Sequence, residues 1–354
     1  MSRFFSQKYA KLTPYTPGEQ PKQRQYVKLN TNESPFAPSE KAQSYAAKAA
    51  QSLQLYSDPT CAPLVKCAAE RLGVQEDEIL FTNGSDDILN FAFMAFCDET
   101  HPAAFPDITY GFYPVFAKLN NVPYTQIPLC EDFTICVSDY ISLNKTIFIA
   151  NPNAPTGIAL PLSDIEKIVK SNPDNVVVID EAYVDFGAES AVSLIHKYEN
   201  LLVTQTFSKS RSMAGARLGF GVACKKLIAD LNTIKYSTNP YNINAMTMAA
   251  GIGALEDDAY FRDNCKTIMA VREETTAQLR ALGFAVIDSK ANFVFAKHEK
   301  LDGGVLYTAL KEKGVLVRHF DTPRLSDYNR ITIGSREQMQ TLILRIKEIL
   351  EETK

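Results

Sequence analysis

The sequence predicts an α/β fold: a large domain with a mainly parallel sheet flanked by helices, followed by a smaller α+β domain. Three observations carry this. Short, largely β-branched runs at 146–150, 176–179 and 201–206 have the near-continuous apolar character of buried parallel strands. A helical pattern at 163–170 lies among them. After Tyr241 the texture changes to long helix, then to short strands and helices.

The elements follow in order. The opening segment, to about Pro38, is rich in Pro, Gln and Lys and reads as an extended arm. Residues 41–53 are Ala-rich and helical, and 64–72 form a second helix closed by Gly73. A short strand at 79–82 leads through a glycine turn into a helical, apolar run at 87–96. Beyond the three β-branched runs, 245–282 reads as long helix with one or more breaks. Strands are expected at 284–288, 293–297, 315–318 and 331–333, with helices over 305–313 and from Arg336 onward. The expected division is an N-terminal arm over 1–30 that joins the small domain, a large domain over 31–255 and a small domain over 256–354.

With 354 residues, 45% of them hydrophobic, the chain can build a sizeable core. A formal net charge of −4 gives no pull toward nucleic acid or an anionic membrane. The first 20 residues lack a signal-type apolar run, and no stretch approaches the roughly 20 apolar residues of a membrane span. A cytoplasmic location is therefore expected. The seven cysteines are scattered without CxxC pairs and read as reduced and mostly buried. The four histidines lie far apart, so no metal centre is expected.

Four motifs carry chemistry. The strand Val176-Val177-Val178-Ile179 ends in Asp180, with Tyr183 three positions on. Ligands of α/β sheets bind outside the carboxyl ends of strands, although such an Asp also serves as a plain turn cap. Thr204-Gln205-Thr206-Phe207-Ser208-Lys209 is a strand running into a polar turn, and Arg217 follows within Ala214-Gly215-Ala216-Arg217-Leu218-Gly219. A lone lysine is usually solvated, but two hydroxyls, a lysine and an arginine after one strand suit an anionic cofactor. Phe81-Thr82-Asn83-Gly84-Ser85-Asp86-Asp87 joins a strand to a helix start. Its free N–H groups could hold phosphate, or the turn could be an ordinary capped one. Asn151-Pro152-Asn153-Ala154-Pro155-Thr156-Gly157 is a rigid turn after a strand.

Together, in this order and over nearly the whole chain, these motifs resemble the fold-type I pyridoxal-phosphate enzymes, specifically the class II aminotransferases. Within that group the chain is similar to the histidinol-phosphate aminotransferase family. The added likeness lies in Leu12-Thr13-Pro14-Tyr15, Leu29-Asn30-Thr31-Asn32-Glu33-Ser34-Pro35, Thr109-Tyr110-Gly111-Phe112-Tyr113 and Arg330-Ile331-Thr332-Ile333-Gly334.

The resemblance implies pyridoxal 5'-phosphate as cofactor, with Lys209 as the lysine that carries it and then moves the proton. Asp180 would pair with the ring nitrogen, Tyr183 would hydrogen-bond the phenolic oxygen, and Tyr110 would stack on the ring. Phosphate would rest on the N–H groups of Ser85 and Asp86, closed by Ser208 and Arg217, with Thr206 as a further candidate. Tyr56 would reach across a homodimer interface to the neighbouring phosphate. Arg330 would hold the substrate's acid group. Arg318 and Tyr15 match positions that hold a substrate phosphate, and Asn32 is a further substrate-binding candidate. Taken without the resemblance, Arg318 at a strand end reads as a surface residue.

The chain departs from the pattern at Ala154, where related enzymes carry an Asn that donates to the phenolic oxygen. Asn153 is the nearest residue that could compensate.

The implied reaction is transfer of an amino group between L-histidinol phosphate and 2-oxoglutarate, as in histidine biosynthesis. A broad aromatic aminotransferase and the threonine-phosphate decarboxylase of cobalamin synthesis share most of these motifs. A DNA-binding regulator with an aminotransferase-like domain would need a basic module for which there is no room before Asn30. A nicotinamide dehydrogenase is disfavoured because Gly219-Phe220-Gly221 and Gly251-Ile252-Gly253 lack the third glycine of GxGxxG. The arm's composition suggests that it orders when substrate binds.

Overall fold

The computed structural model describes residues 2–10, 12–13, 18–21 and 25–352. The arm's strand β1 (Val27–Lys28) precedes a large sheet of seven strands. These are β2 (Ile79–Thr82), β3 (Ala103–Pro106), β4 (Tyr124–Ile127), β5 (Thr146–Ala150), β6 (Val177–Asp180), β7 (Leu201–Thr206) and β8 (Gly219–Ala223), in the order β2-β8-β7-β6-β5-β3-β4. Strands β4, β3, β5, β6 and β7 run parallel, and β8 alone is antiparallel to its neighbours β7 and β2. Strands β2, β5, β6 and β8 are buried at every position, as a sheet covered on both faces requires.

The covering helices are α1 (Glu40–Ala49), α2 (Ala62–Leu72), α3 (Ser85–Phe96), α4 (Tyr113–Leu119), α5 (Leu162–Ser171), α6 (Lys225–Thr238) and α7 (Ala245–Glu256). The expected break in the long helical stretch falls at Asp257, which separates α7 from α8 (Asp258–Ala281). Two apolar clusters flank the large sheet. One contains Ile147, Ile149, Ile179 and Val203; the other contains Phe93, Phe105, Phe148 and Leu202. The strict alternation of side chains along each strand produces this division.

Past α8 lie β9 (Phe284–Ile287), β10 (Phe293–His298), α9 (Gly303–Glu312), β11 (Val315–Leu316), β12 (Arg318–His319), β13 (Tyr328–Thr332) and α10 (Arg336–Glu352). Strands β12-β13-β10-β9 form a four-stranded antiparallel sheet with its own core, which includes Ile331, Leu342 and Ile346. The single strand expected over 315–318 is two strands. Strand β11 pairs in parallel with β1 of the arm, and β12 pairs with β13. The arm is tied to this unit again at Glu19, whose carboxylate accepts from Tyr307 and Lys311 of α9.

All seven cysteines are free, but only Cys61 and Cys265 are buried and Cys130 is exposed. The expectation of mostly buried thiols is corrected here: Cys97, Cys136 and Cys224 flank helix ends, Cys130 lies in a loop, and Cys67 is only partly covered on α2. Among the described residues no cluster of three or more His, Cys, Asp or Glu could hold a metal ion. Among the described residues no helix is long and apolar enough to cross a membrane.

Candidate active site

Four of the sequence motifs meet beyond the carboxyl ends of the parallel strands. Lys209 follows β7, Asp180 ends β6, Tyr183 lies just after it, and Ser85 opens α3 after β2. Together with Tyr110, Ala154, Thr206, Ser208 and Arg217 they line a cavity of about 180 Å³. A second cavity of about 720 Å³ shares Tyr110, Ala154, Tyr183 and Lys209 with it and adds Arg318, Arg330, Asp107, Phe320 and Arg324. Lys209 thus lies on the wall common to both. Its ammonium donates to the Thr31 carbonyl (3.3 Å) and lies 5.8 Å from the centre of the Tyr183 ring. A further cavity of about 790 Å³ includes neither Lys209 nor Asp180 in its lining, and its Arg71 and Arg211 donate to carbonyls of α7.

The inner cavity has an anion-binding end and an acidic end. At the first, Gly84 precedes α3 with φ +83°, and no side chain caps the helix start. The first-turn N–H groups therefore lack a side-chain acceptor there, which suits them to an anion. A Cβ on Gly84 would come within 2.6 Å of the Arg217 guanidinium, and one on Gly219 within 2.2 Å of the Ser85 nitrogen. Both glycines are needed for this close approach. The Asp86 carboxylate accepts from Tyr110 Oη (2.7 Å) and pairs with Arg217 (2.8 Å), fixing both groups at the cavity wall. Thr206 Oγ1 contacts Ser208 Oγ at 3.0 Å.

At the other end Asp180 is buried and receives hydrogen bonds from Tyr113 Oη (3.0 Å) and the Ala182 N–H (3.2 Å). Burial pushes its carboxyl up to about 6, against the pull of those two hydrogen bonds. A cationic ring nitrogen facing it would favour the ionised form. Its neighbour Glu181 is also driven up by burial, to about 7, and is held by Ser190, the Ala191 N–H and Gln205 on the other side of the strand end.

In the outer cavity, Arg318 and Arg330 stand directly opposite each other on β12 and β13. Like charges at such a pair are destabilising unless an anion offsets them. Arg330 donates to the Asn30 carbonyl (3.0 Å) and lies over Phe293 and Phe320, while Arg318 also lies over Phe320. These contacts direct two guanidinium groups into the space that Lys209 reaches.

Ala154 lines both cavities and presents only a methyl group. Asn153 does not compensate for it: its amide donates to the Ile108 carbonyl (2.9 Å) and accepts from Thr109 Oγ1 (2.8 Å), bracing the loop. Asn32, a substrate-binding candidate from the sequence, has its amide engaged with Tyr183 (2.9 Å) and Thr332 (3.0 Å). Tyr56 lines neither cavity; it is 86% exposed and stacks on Tyr241 at 4.8 Å. Tyr15 lies outside the described residues. Sequence reading did not assign Tyr113 to Asp180 or the Thr31 carbonyl to Lys209. Tyr113 lies inside one of the family-like motifs, but its partner is 67 residues away.

A family model for aminotransferase class I and II matches residues 24–346. The chain is 48% identical over 357 residues to the histidinol-phosphate aminotransferase of Brachyspira hyodysenteriae, covering 99% of this chain and 100% of that protein. It is 48% identical over 353 residues to the histidinol-phosphate aminotransferase of a Marinomonas species, again covering 99% and 100%. The crystal structure of histidinol-phosphate aminotransferase from Sinorhizobium meliloti in complex with pyridoxal-5'-phosphate shares the fold, with a TM-score of 0.90 at 21% identity over 100% of this chain and 99% of that one. The chain belongs to the class I and II aminotransferases. The two sequence relatives that match it from end to end carry a more particular name, which bears on its substrate.

Proposed function

We propose that this chain transfers an amino group between L-histidinol phosphate and 2-oxoglutarate, giving imidazole acetol phosphate and L-glutamate, with pyridoxal phosphate as cofactor. The observation that carries the substrate assignment is the pair Arg318 and Arg330, placed opposite each other on β12 and β13 at the cavity that also contains Lys209. A simple amino acid needs one carboxylate clamp. A phosphate dianion makes use of two guanidinium groups.

The inner cavity fits the cofactor at both ends, with the uncapped start of α3 and Arg217 for phosphate and the buried Asp180 for a protonated ring nitrogen. Pyridoxal phosphate supplies an aldehyde that accepts the amino group and a ring that takes up the electrons released at the substrate carbon. The residues around it divide the remaining work. Lys209 holds the cofactor and then moves the proton. Asp180 would keep the ring nitrogen protonated, and Tyr183 would donate to the phenolic oxygen. Tyr110 would stack on the ring, while the N–H groups of Ser85 and Asp86 and the Ser208 hydroxyl would hold the phosphate, with Thr206 beside them. Arg330 takes the acid group of either substrate in turn, in a ping-pong cycle.

Arg318→Gln tests the assignment. Removing one charged hydrogen-bond donor costs about 1.5–3 kcal/mol. The kcat/KM for histidinol phosphate should therefore fall roughly 10- to 100-fold, while that for phenylalanine changes little. Equal loss for both substrates would assign Arg318 a structural role and favour a broad aromatic aminotransferase. Carbon dioxide release from threonine phosphate would instead point to a decarboxylase.

The active form in this reading is a homodimer with shared sites. Leu53, Leu55, Tyr56, Tyr236 and Tyr241 are large apolar side chains exposed on one chain. Such a group of side chains calls for a covering partner. With Tyr56 reaching the neighbouring phosphate, Tyr56→Phe should leave the dimer intact in sedimentation and weaken cofactor retention roughly 10-fold. A monomeric wild-type protein, or unchanged retention, would contradict the shared site.

A further inference from the structure

We infer that Asn32, set by Thr332, orients the single proton of the Tyr183 hydroxyl, and that this relay serves in place of the donor absent at Ala154. The inference rests on the proposed cofactor and concerns how this chain's own residues prepare for it.

The hydrogen bonds around Asn32 give the direction of the relay. The Asn32 backbone N–H donates to Thr332 Oγ1 (3.0 Å). The Thr332 hydroxyl has one proton, and its neighbour at 3.0 Å is Asn32 Oδ1, an acceptor only. With the amide oxygen toward Thr332, Nδ2 faces Tyr183, where it donates to Oη at 2.9 Å. Tyr183 Oη therefore accepts from Asn32, and its own proton is left for the cavity it lines. A hydroxyl without such a neighbour would rotate freely between partners.

The arrangement is built in rather than incidental. Asn32 is 1% exposed and adopts φ +57°, a conformation Asn tolerates better than most residues. Its carbonyl accepts from Asn292 Nδ2 (3.0 Å). All its polar groups are thus engaged, two of them by Thr332 of β13. The preceding residue, Thr31, supplies the carbonyl that receives Lys209. The short segment Thr31-Asn32 therefore positions two groups of the inner cavity and ties both to the strand that carries Arg330.

Asn32 is a positioning residue, so the test must read the cofactor's environment and not only turnover. The measurement is the ionisation midpoint of bound pyridoxal phosphate, followed by absorbance against pH in the intact protein. A donor to the phenolic oxygen favours its ionised form, and losing it raises the midpoint. Asn32→Asp puts an acceptor where the amide donor was, so the Tyr183 proton turns toward it. We expect Asn32→Asp to raise the midpoint by about one pH unit or more, close to the effect of Tyr183→Phe. The double variant should show no further rise, because both changes remove the same donor. Thr332→Val, nearly isosteric, should shift the midpoint in the same direction by less, and provides the test if the aspartate variant does not fold. Adding Ala154→Asn to Asn32→Asp should bring the midpoint back toward the wild-type value.

An unchanged midpoint in Asn32→Asp or in Thr332→Val, alongside a shifted one in Tyr183→Phe, would overturn the relay. So would additive shifts in the double variant. A wild-type protein that binds no pyridoxal phosphate would instead overturn the proposed function, so the two failures are distinguishable.

Discussion

Lys209→Ala is expected to slow the amino-transfer half-reaction by on the order of 10⁴-fold, the upper range for a positioned general base, while leaving the protein folded. The lysine lies where the inner and outer cavities meet, so in the proposed function it reaches both cofactor and substrate. Its ammonium donates to one backbone carbonyl, that of Thr31. Truncation therefore removes little packing, and stability should change by less than about 1 kcal/mol. Rapid mixing with the amino donor measures the rate and a thermal melt measures stability. A small primary amine in solution should restore part of the rate, because the lost function is proton transfer and not shape. A variant within tenfold of the wild-type rate would remove Lys209 from the chemistry.

Asp180→Asn should have opposite effects on function and stability. An amide cannot hold the ring nitrogen in its protonated form by charge, so the half-reaction should slow by roughly 10³-fold, about 4 kcal/mol of transition-state stabilisation. In the cofactor-free protein the same change should be stabilising at pH 8. Burial raises the Asp180 carboxyl to about 6 in the fold, against about 3.9 in an unfolded chain. Between these values the native state holds a proton that the unfolded chain has released, so stability falls as pH rises. Above both values the penalty is complete, at roughly 3 kcal/mol; below both it is absent. Asp180→Asn removes this penalty, and the melting temperature of the cofactor-free protein should rise clearly at pH 8 and much less at pH 4. Glu181, raised to about 7, extends the same slope toward neutrality in both proteins. A variant less stable than wild type at pH 8 would show that Asp180 is held in its ionised form by the fold itself.

The legible parts of the sequence were those with a local signal. Strands β2, β5 and β7 fall on the residues expected from their apolar runs. Strand β3 was missed because Ala103-Ala104-Phe105-Pro106 has no β-branched residue and ends in proline. Strand β4 lies at the sheet edge and exposes two of its four residues, so it lacks a buried pattern. Strand β8 has no strand signal in the sequence, because Gly219 and Gly221 lower its β-propensity. Its Gly219 does approach another backbone closely, that of Ser85, but from inside the sheet.

The site shows the same division. Lys209, Asp180 and Arg217 lie in compact motifs whose chemistry can be read in place. Tyr113 and Asp180 are brought together by packing of α4 against the sheet, and Asn32 and Thr332 are 300 residues apart. No spacing rule reaches such pairs. Ala154 was visible as a departure, but the directions of the Asn153 and Asn32 amides were not.

The most direct test of the central claim is a single half-reaction. Cofactor-loaded protein is mixed with L-histidinol phosphate in the absence of any oxo acid, and the cofactor spectrum is followed, with phenylalanine and threonine phosphate run alongside. Rapid conversion to the amino form of the cofactor by histidinol phosphate, and slow or no conversion by the other two, is the predicted result. Conversion by phenylalanine with none by histidinol phosphate would contradict it.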